Sequence, residues 1–491
     1  MKFLGSLIGG FRKLALTNKL FIELIFAKHM QGVHAFASRV MAYRVYLKAV
    51  KHCPAYHKFT QQNNVQIMAF RDVSSISETN KENYVKKFSI EQRCYGGGIP
   101  VKGVVIDESS GSSGIPNNWV RGPDDRADIR KLLQLSYNLT YEGRNTFLLN
   151  CFALGPWATG MNVTMSLADT TITKSIGPDI IKLENSLKAF GTDYEYVIVG
   201  YPPFIKLFVN STGLNLKDYR IHFITGGEAM SDGLRRYLSQ FCISLISSYG
   251  ASDLDINIGA ETDFSLQLRE VCSNYPELTQ EIFGREQPPM IFQYNPIDYY
   301  IETSENGELI FTVNRINSAV PKVRYNLCDI GGTKTYDQLA ELFIKHDLVD
   351  KLPSPALYLP ILYVYGRGDL SVPFYGAKVF STDLDSILHE TPELAQNFNS
   401  FQLSAFEDDK LESRLKICLE LNPEKKNSIS QVKGLPINEF MFSELQRVNQ
   451  EFREVSKMFD AQKIAIDIHE YETGAFEGRD IRIKQKYIRN N

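Results

Sequence analysis

Apolar residues recur along this chain in two rhythms, and the switches between them divide it. Up to residue 90 the rhythm is helical. In FASRVMAYRVYLKAVK (36–51) apolar side chains return at mixed three- and four-residue steps, the repeat of a helix with one buried face. Cys53-Pro54 ends that stretch. From residues 100 to 260 short apolar runs alternate with helical ones. VKGVVID (101–107), YEYVIVG (194–200), RIHFITGG (220–227) and ISLISSYG (243–250) read as strands; 124–136 and 231–241 read as helices, the second capped by Ser231. Strands alternating with helices predict a largely parallel, wrapped sheet.

At 298–313 the pattern changes. DYYIETSENGELIFTV holds two strands around Asn306-Gly307, the strongest short hairpin signal, so an antiparallel subdomain is expected. A boundary falls at Tyr365-Gly366-Arg367-Gly368-Asp369, and a smaller α+β unit follows. Its expected strands are RLKICLEL (414–421) and KIAIDIHEY (463–471). Between them a helix carries Met441, Leu445, Val448, Phe452, Val455 and Phe459 as a core-facing stripe.

Composition narrows the function classes. The 491 residues are 43% hydrophobic and 23% charged, enough to bury more than one core and too apolar for disorder. A net charge of -3 without a basic stripe argues against nucleic acid as a partner. Seven scattered cysteines without a CxxC pair suit reduced thiols in the cytoplasm. No apolar run approaches the roughly 20 residues of a membrane span. The basic N-terminus (Lys2, Arg12, Lys13, Lys19) is expected to be a packed helix, with a membrane-surface helix as the alternative. The sequons at Asn138 and Asn162 read as chance matches.

Five short motifs follow expected strands or turns. Glu108-Ser109-Ser110-Gly111-Ser112-Ser113-Gly114-Ile115-Pro116 places small and hydroxylated residues where backbone amides can approach an anion; it lacks the lysine spacing of a Walker loop. Ile224-Thr225-Gly226-Gly227-Glu228 and Ser248-Tyr249-Gly250-Ala251-Ser252-Asp253 both lie just after strands, where ligands bind in open α/β sheets. The second unites an aromatic ring, a glycine, a hydroxyl and a carboxylate. In Val323-Arg324-Tyr325-Asn326-Leu327-Cys328-Asp329 the terminal acid can accept ribose hydroxyls. Gly366-Arg367-Gly368-Asp369 is the fifth. Each motif alone is also what an ordinary turn or linker looks like.

In order, SSGSSGIP, TGGE, SYGASD, RYNLCD, GRGD and GAKVFSTDLDSIL resemble the motifs of the adenylate-forming superfamily (acyl-CoA synthetases, firefly luciferases, peptide-synthetase adenylation domains), and within it the phenylacetate-CoA ligase-like, CapK-type branch. The resemblance implies an α/β fold with a large N-terminal domain of several subdomains (residues 1–366) and a small mobile α+β lid (367–491). It implies ATP with Mg²⁺ between them, and an acid passed as acyl-AMP to coenzyme A, to a carrier protein or to an amine. Ser109, Ser112, Ser113 and Gly114 would face the β- and γ-phosphates; Gly226, Gly227 and Glu228 would border the adenine. Tyr249, followed by Gly250, would stack on the adenine. Ser252 would touch phosphate, and Asp253 would hold Mg²⁺ where the family has Glu. Asp329 would bind the ribose, Arg367 the ribose or α-phosphate, and Asp369 would be the hinge.

The chain departs from the family at Asn117, where relatives carry Lys, and at Asn326-Leu327-Cys328, where they carry Arg-Thr-Gly. No clear C-terminal Gly-Lys pair is present. Lys484 is assigned the lysine's role, with Lys486 and Arg479 behind it. The acyl pocket is expected near Gly155-Pro156-Trp157, Gly200-Tyr201-Pro202 and Phe204, whose aromatic rings point to an apolar or aromatic acid. A relative that binds nucleotide without turnover is the competing class. His222 is expected to be a core histidine.

Overall fold

One eleven-stranded sheet organises the larger part of the chain. The computed structural model describes residues 10, 19–63, 70–109, 117–228, 230–367, 371–374, 377–407, 413–425, 437–449, 452–453, 456 and 459–478. Within it the helix α1 (Gln31–His52) runs through the expected 36–51 stretch and stops at Cys53, with Pro54 opening the next helix. Nearer the N-terminus, Ile22 and Phe26 are buried against Ile297, so this part of the expected N-terminal helix packs. Strands β1 (Val105–Ser109) and β2 (Asn117–Arg121) form a separate antiparallel hairpin. Helix α2 (Pro123–Thr140) follows, with proline in its first turn, where no amide is needed.

Five strands then build the parallel half: β3 (Thr146–Asn150), β4 (Ile172–Ser175), β5 (Glu195–Gly200), β6 (Arg220–Gly226) and β7 (Ser244–Tyr249), in spatial order β7-β6-β5-β3-β4. Every residue of β5 is buried, as a strand covered on both faces requires. Helix α3 (Asp232–Leu238) leaves β6 through the expected cap: the Ser231 hydroxyl accepts from the Leu234 amide at 3.1 Å.

The two-residue strand β8 (Gly259–Ala260) runs antiparallel to both β7 and β9 (Met290–Tyr294). Beyond it the sheet continues antiparallel through β13 (Ile361–Arg367), β12 (Tyr325–Lys334), β11 (Glu308–Val313) and β10 (Tyr299–Thr303). The expected hairpin therefore exists, turned by Gly307 at φ 79°, and it forms the far edge of the same sheet.

The C-terminal part has its own core. A hairpin of β14 (Ser371–Phe374) and β15 (Ala377–Phe380) precedes helix α4 (Ser381–Glu390) and a three-stranded sheet of β16 (Phe398–Glu407), β17 (Ser413–Leu421) and β18 (Ile464–His469). Leu415, Ile417, Leu419 and Leu421 bury one face of that sheet under helix α5 (Ile437–Val448). Met441, Leu445 and Val448 lie on α5, but the expected stripe outruns it. Phe452 and Phe459 follow beyond Asn449 and reach the same core, Phe452 stacking on Phe374 at 6.2 Å. Val455 lies outside the described residues.

The two parts meet where α3 crosses α4. A Cβ on Gly233 would lie 2.8 Å from the Glu390 amide nitrogen and 2.9 Å from the His389 Cβ, so only glycine permits this approach. Buried Lys206 donates to the carbonyls of Phe398 (3.0 Å) and Asn399 (3.2 Å), and burial lowers its pKa to about 8. Arg236–Glu390 (3.1 Å) and Arg453–Glu286 (2.7 Å) add ion pairs across the junction. The Arg285 guanidinium sits over the rings of Tyr365 (4.2 Å) and Phe380 (4.4 Å).

Candidate active site

Strands β6 and β7 end side by side, with Gly226 opposite Ser248. A Cβ on Gly226 would lie 3.1 Å from the Ser248 carbonyl oxygen, and Gly227 has φ 81°, a conformation that favours glycine. Tyr249, the last residue of β7, has its ring between Phe292 (5.6 Å) and Phe311 (6.2 Å). Its hydroxyl donates to the Asp329 carboxylate. Asp329 follows Cys328, which has φ 63°, and lies opposite Arg367 across β12 and β13. Contacts thus link the ends of β6, β7 and β13 to the middle of β12; together they carry Gly226, Gly227, Glu228, Tyr249, Asp329 and Arg367. Glu228 raises the pKa of the neighbouring Tyr201 phenol, on top of the larger effect of burial.

The loop after Tyr249 is tight. A Cβ on Gly250 would lie 2.0 Å from the Ile256 carbonyl oxygen, and the Ala251 amide donates to the Asp255 carbonyl at 2.7 Å. Arg121 of β2 donates to the carbonyls of Ser252 and Leu254 and pairs with Asp107 of β1 at 3.1 Å. Asp255 pairs with Arg315 and accepts from the Tyr299 hydroxyl at 2.7 Å. The Arg121 guanidinium, through the Ser252 and Leu254 carbonyls and its approach to Asp255 at 3.8 Å, therefore clamps this loop to the β1–β2 hairpin, whose strands flank the Ser/Gly segment in sequence. The Glu108 amide also donates to the Pro156 carbonyl at 2.9 Å, which sets the hairpin beside the expected acyl pocket. There Phe152 meets Tyr201 edge-on at 5.0 Å, with Trp157 packed against the same cluster.

Asp253 has different company from a metal ligand. It is 5% exposed, pairs with Lys81 Nζ at 3.2 Å and accepts from the Tyr325 hydroxyl at 3.0 Å. Lys81 opens a helical turn whose Asn80 and Asn83 cap each other reciprocally at 2.8 Å, and Thr79 bridges to Tyr325. Nearby, Lys322 lies over the Trp119 ring at 4.0 Å. Burial, then repulsion from Arg121 and Arg93, holds the Lys322 pKa well below the usual lysine range. Mg²⁺ wants free carboxylate oxygens in octahedral order. Asp253 is neutralised by an ammonium and Asp255 is taken by arginine, so as placed these residues do not fit a magnesium ion. What they make is a largely buried network in which Lys81, Arg121 and Arg315 pair with Asp253, Asp107 and Asp255.

Ser112, Ser113, Gly114, Asp369, Gly376 and Lys484, with Arg479 and Lys486, lie outside the described residues; Ser109 and Arg367 are described in backbone alone. His222 is a core residue, as expected: buried, 2.8 Å from the Ser244 hydroxyl, its pKa lowered to about 4 by burial and then by Arg144 and Arg220. Sequence reasoning missed Lys81, Arg121, Arg315 and Lys322. Arg121 stood beside the Ser/Gly motif as the only cation of NNWVRG; nothing local marks Lys81. An open cleft also lies between the two parts, lined by Ser231, Arg269, Arg285, Phe380, Asp383 and Arg447 among others.

No protein-family model matches the chain, and no curated protein matches it in sequence. Its fold is similar to that of 2-hydroxyisobutyryl-CoA ligase in the postadenylation state in complex with 2-HIB-AMP: TM-score 0.68 at 10% identity, covering 95% of this chain and 90% of that one. The same ligase with 2-HIB-AMP and CoA in the thioesterification state gives 0.53 at 11% identity over 94% of this chain and 90% of that one. The open conformation with the same ligands gives 0.54 at 11% identity over 93% and 90%. At this identity the likeness is one of fold: an adenylate-forming ligase fold over nearly the whole chain.

Proposed function

We propose that this chain activates a carboxylic acid with ATP as an acyl-AMP, releasing pyrophosphate, and passes the acyl group to a thiol of coenzyme A or a carrier protein. The observation that carries this reading is the linkage of Gly226–Glu228, Tyr249, Asp329 and the end of β13 at the carboxyl edge of β6 and β7, in a chain whose fold matches a ligase that holds an acyl-AMP. A ligand at the carboxyl ends of these parallel strands meets backbone amides and a buried acid. In this reading Asp329, positioned by the Tyr249 hydroxyl, accepts the ribose hydroxyls. Gly226, Gly227 and Glu228 border the base; Ser109, Ser112, Ser113, Gly114 and Ser252 approach the phosphates.

The chemistry needs no protein nucleophile. A substrate carboxylate oxygen attacks the α-phosphorus, the bond to the bridging oxygen breaks, and pyrophosphate leaves with the electron pair. The chain's work is alignment and charge compensation. Lys322 and Arg121 lie at the base of the hairpin that carries the Ser/Gly segment, and Lys484 is the cation assigned to the reacting centre. Magnesium arrives as the counter-ion of ATP, with no side chain assigned to it. Rotation of residues 367–491 about Asp369 then presents a second face, with the Gly376 loop, to the acceptor. The larger overlap with the postadenylation form supports the described pose as the one near the first step. The acid is aromatic or apolar by the rings of Trp157 and Tyr201. The seven free cysteines suit the cytoplasm, and among the described residues no helix is long and apolar enough to cross a membrane.

A nucleotide-binding relative without turnover is the second reading. The Lys81–Asp253 pair favours it, because it fills the position expected for a metal ligand. Pyrophosphate release with Mg-ATP, over a panel of aryl and fatty acids with and without coenzyme A, separates the two. Acid-dependent release, accelerated by coenzyme A, is the expected result. Release indifferent to coenzyme A moves the acceptor to a carrier protein or an amine. ATP binding without release for any acid sinks the enzymatic reading for that panel.

A further inference from the structure

The C-terminal three-stranded sheet has two unlike faces. One is aliphatic and lies under α5; the other carries Ser400, Gln402, Ser404, Lys416, Cys418, Glu420, Asp467 and His469, because side chains alternate along a strand. On that second face β17 and β18 run parallel in a register that sets Cys418 beside Asp467 and Glu420 beside His469. A sulfur of Cys418, a carboxylate oxygen of Asp467 and a ring nitrogen of His469 consequently lie within 4.8 Å of one another.

We propose that Cys418, Asp467 and His469 form a binding site for a thiophilic divalent cation of the zinc class. Donors held about 2.0–2.3 Å from a tetrahedral ion are roughly 3.5 Å apart, so rotamer adjustments of about an ångström complete the triad. One sulfur, one nitrogen and one oxygen select zinc-like ions over magnesium or calcium, which take oxygen alone. A fourth position is left for water.

Three surroundings suit the site. Asp467 now pairs with Lys416 at 2.7 Å; both side chains are well exposed, so the pair is weak and readily displaced by a dication. The Glu420 carboxylate, fully buried, is engaged by the Asn399 side chain (2.8 Å) and the Glu472 amide (3.0 Å) and is not counted among the ligands. The chain after β18 folds back over this face: Gln402 donates to the Ala475 carbonyl at 2.9 Å, and Phe476 is buried. Gly474, at φ 59°, passes so near His469 that a Cβ would lie 2.4 Å from its Nδ1. The backbone thus walls the imidazole on one side. Cation binding breaks the S–H bond of Cys418, releases its proton to solvent and forms a metal–sulfur bond, and it fixes the fold-back that precedes in sequence residues 479–486, which include Lys484.

The test uses the full-length chain stripped with a chelator and titrated with Co²⁺, then Zn²⁺. The expected result is one Co²⁺ per chain with a thiolate-to-cobalt charge-transfer band, displaced by one Zn²⁺. The band disappears in Cys418→Ser. Zn²⁺ affinity falls by more than about tenfold, the smallest loss typical even for an outer-sphere partner, in Asp467→Asn and His469→Ala. Asp467 is exposed, so Asp467→Asn reports binding without threatening the fold. No band, a band that survives Cys418→Ser, or unchanged affinity in Asp467→Asn overturns the site. None of these readouts depends on acyl-AMP formation.

Discussion

Asp253 and Asp329 look alike in the sequence: each closes a short motif beside a strand end, and each was given a ligand to hold. In the structure both are nearly buried, 5% and 8% exposed, and both accept a tyrosine hydroxyl. The difference is the other neighbour. Asp253 has the Lys81 ammonium at 3.2 Å, whereas Asp329 lies at a strand junction opposite Arg367 with a neutral donor beside it. A buried carboxylate that already has its counter-ion is part of the scaffold. Asp329 instead lies beside the ends of β6 and β7, where ligands bind in open α/β sheets and where the proposed nucleotide would sit. The place in the sheet, more than the motif, separates the scaffold acid from the proposed ligand-binding one.

The comparison breaks most visibly at the clamp around Asp253. Arg315→Ala leaves the Asp255 carboxylate buried without its main partner, and should lower the unfolding free energy in urea by about 3 kcal/mol. A loss below about 1 kcal/mol would mean the loop is looser than its ion pairs imply. Next, Asp329→Ala should weaken ATP binding by at least about tenfold, the scale of hydrogen bonds to a charged group, with unfolding little changed. Asp253→Asn should do the reverse. It costs about 1 kcal/mol in stability, discounted because Lys81 is partly exposed, and leaves the calorimetric Kd for ATP within about threefold. If Asp253→Asn abolishes ATP binding instead, Asp253 is a ligand residue after all. An effect of similar size is expected for Tyr249→Phe, which removes one hydroxyl from Asp329 and should shift ATP affinity by about 1 kcal/mol.

The parallel half of the sheet is legible because runs such as EYVIVG are apolar on both faces, and the β10–β11 hairpin because Asn-Gly turns announce themselves. The join between the halves is not legible: β8 is two residues long, too short for any periodicity. The stripe from Met441 to Phe459 reads as one helix because a common core imposes the same apolar spacing on residues beyond Val448, where α5 ends. At the site, glycines and acids stand in local motifs and are found. Lys81 and Arg315 reach their aspartates only through the folding of distant segments, so no local pattern carries them.

Gly233 gives the junction a chemical use. Where α3 crosses α4 there is no space for even one more carbon, so a thiol introduced as Gly233→Cys must push the helices apart. An alkylating reagent would reach that sulfur only while they are separated. The labelling rate, followed with and without ATP and acid, would then show whether ligands draw the variant's junction towards its closed or its separated form.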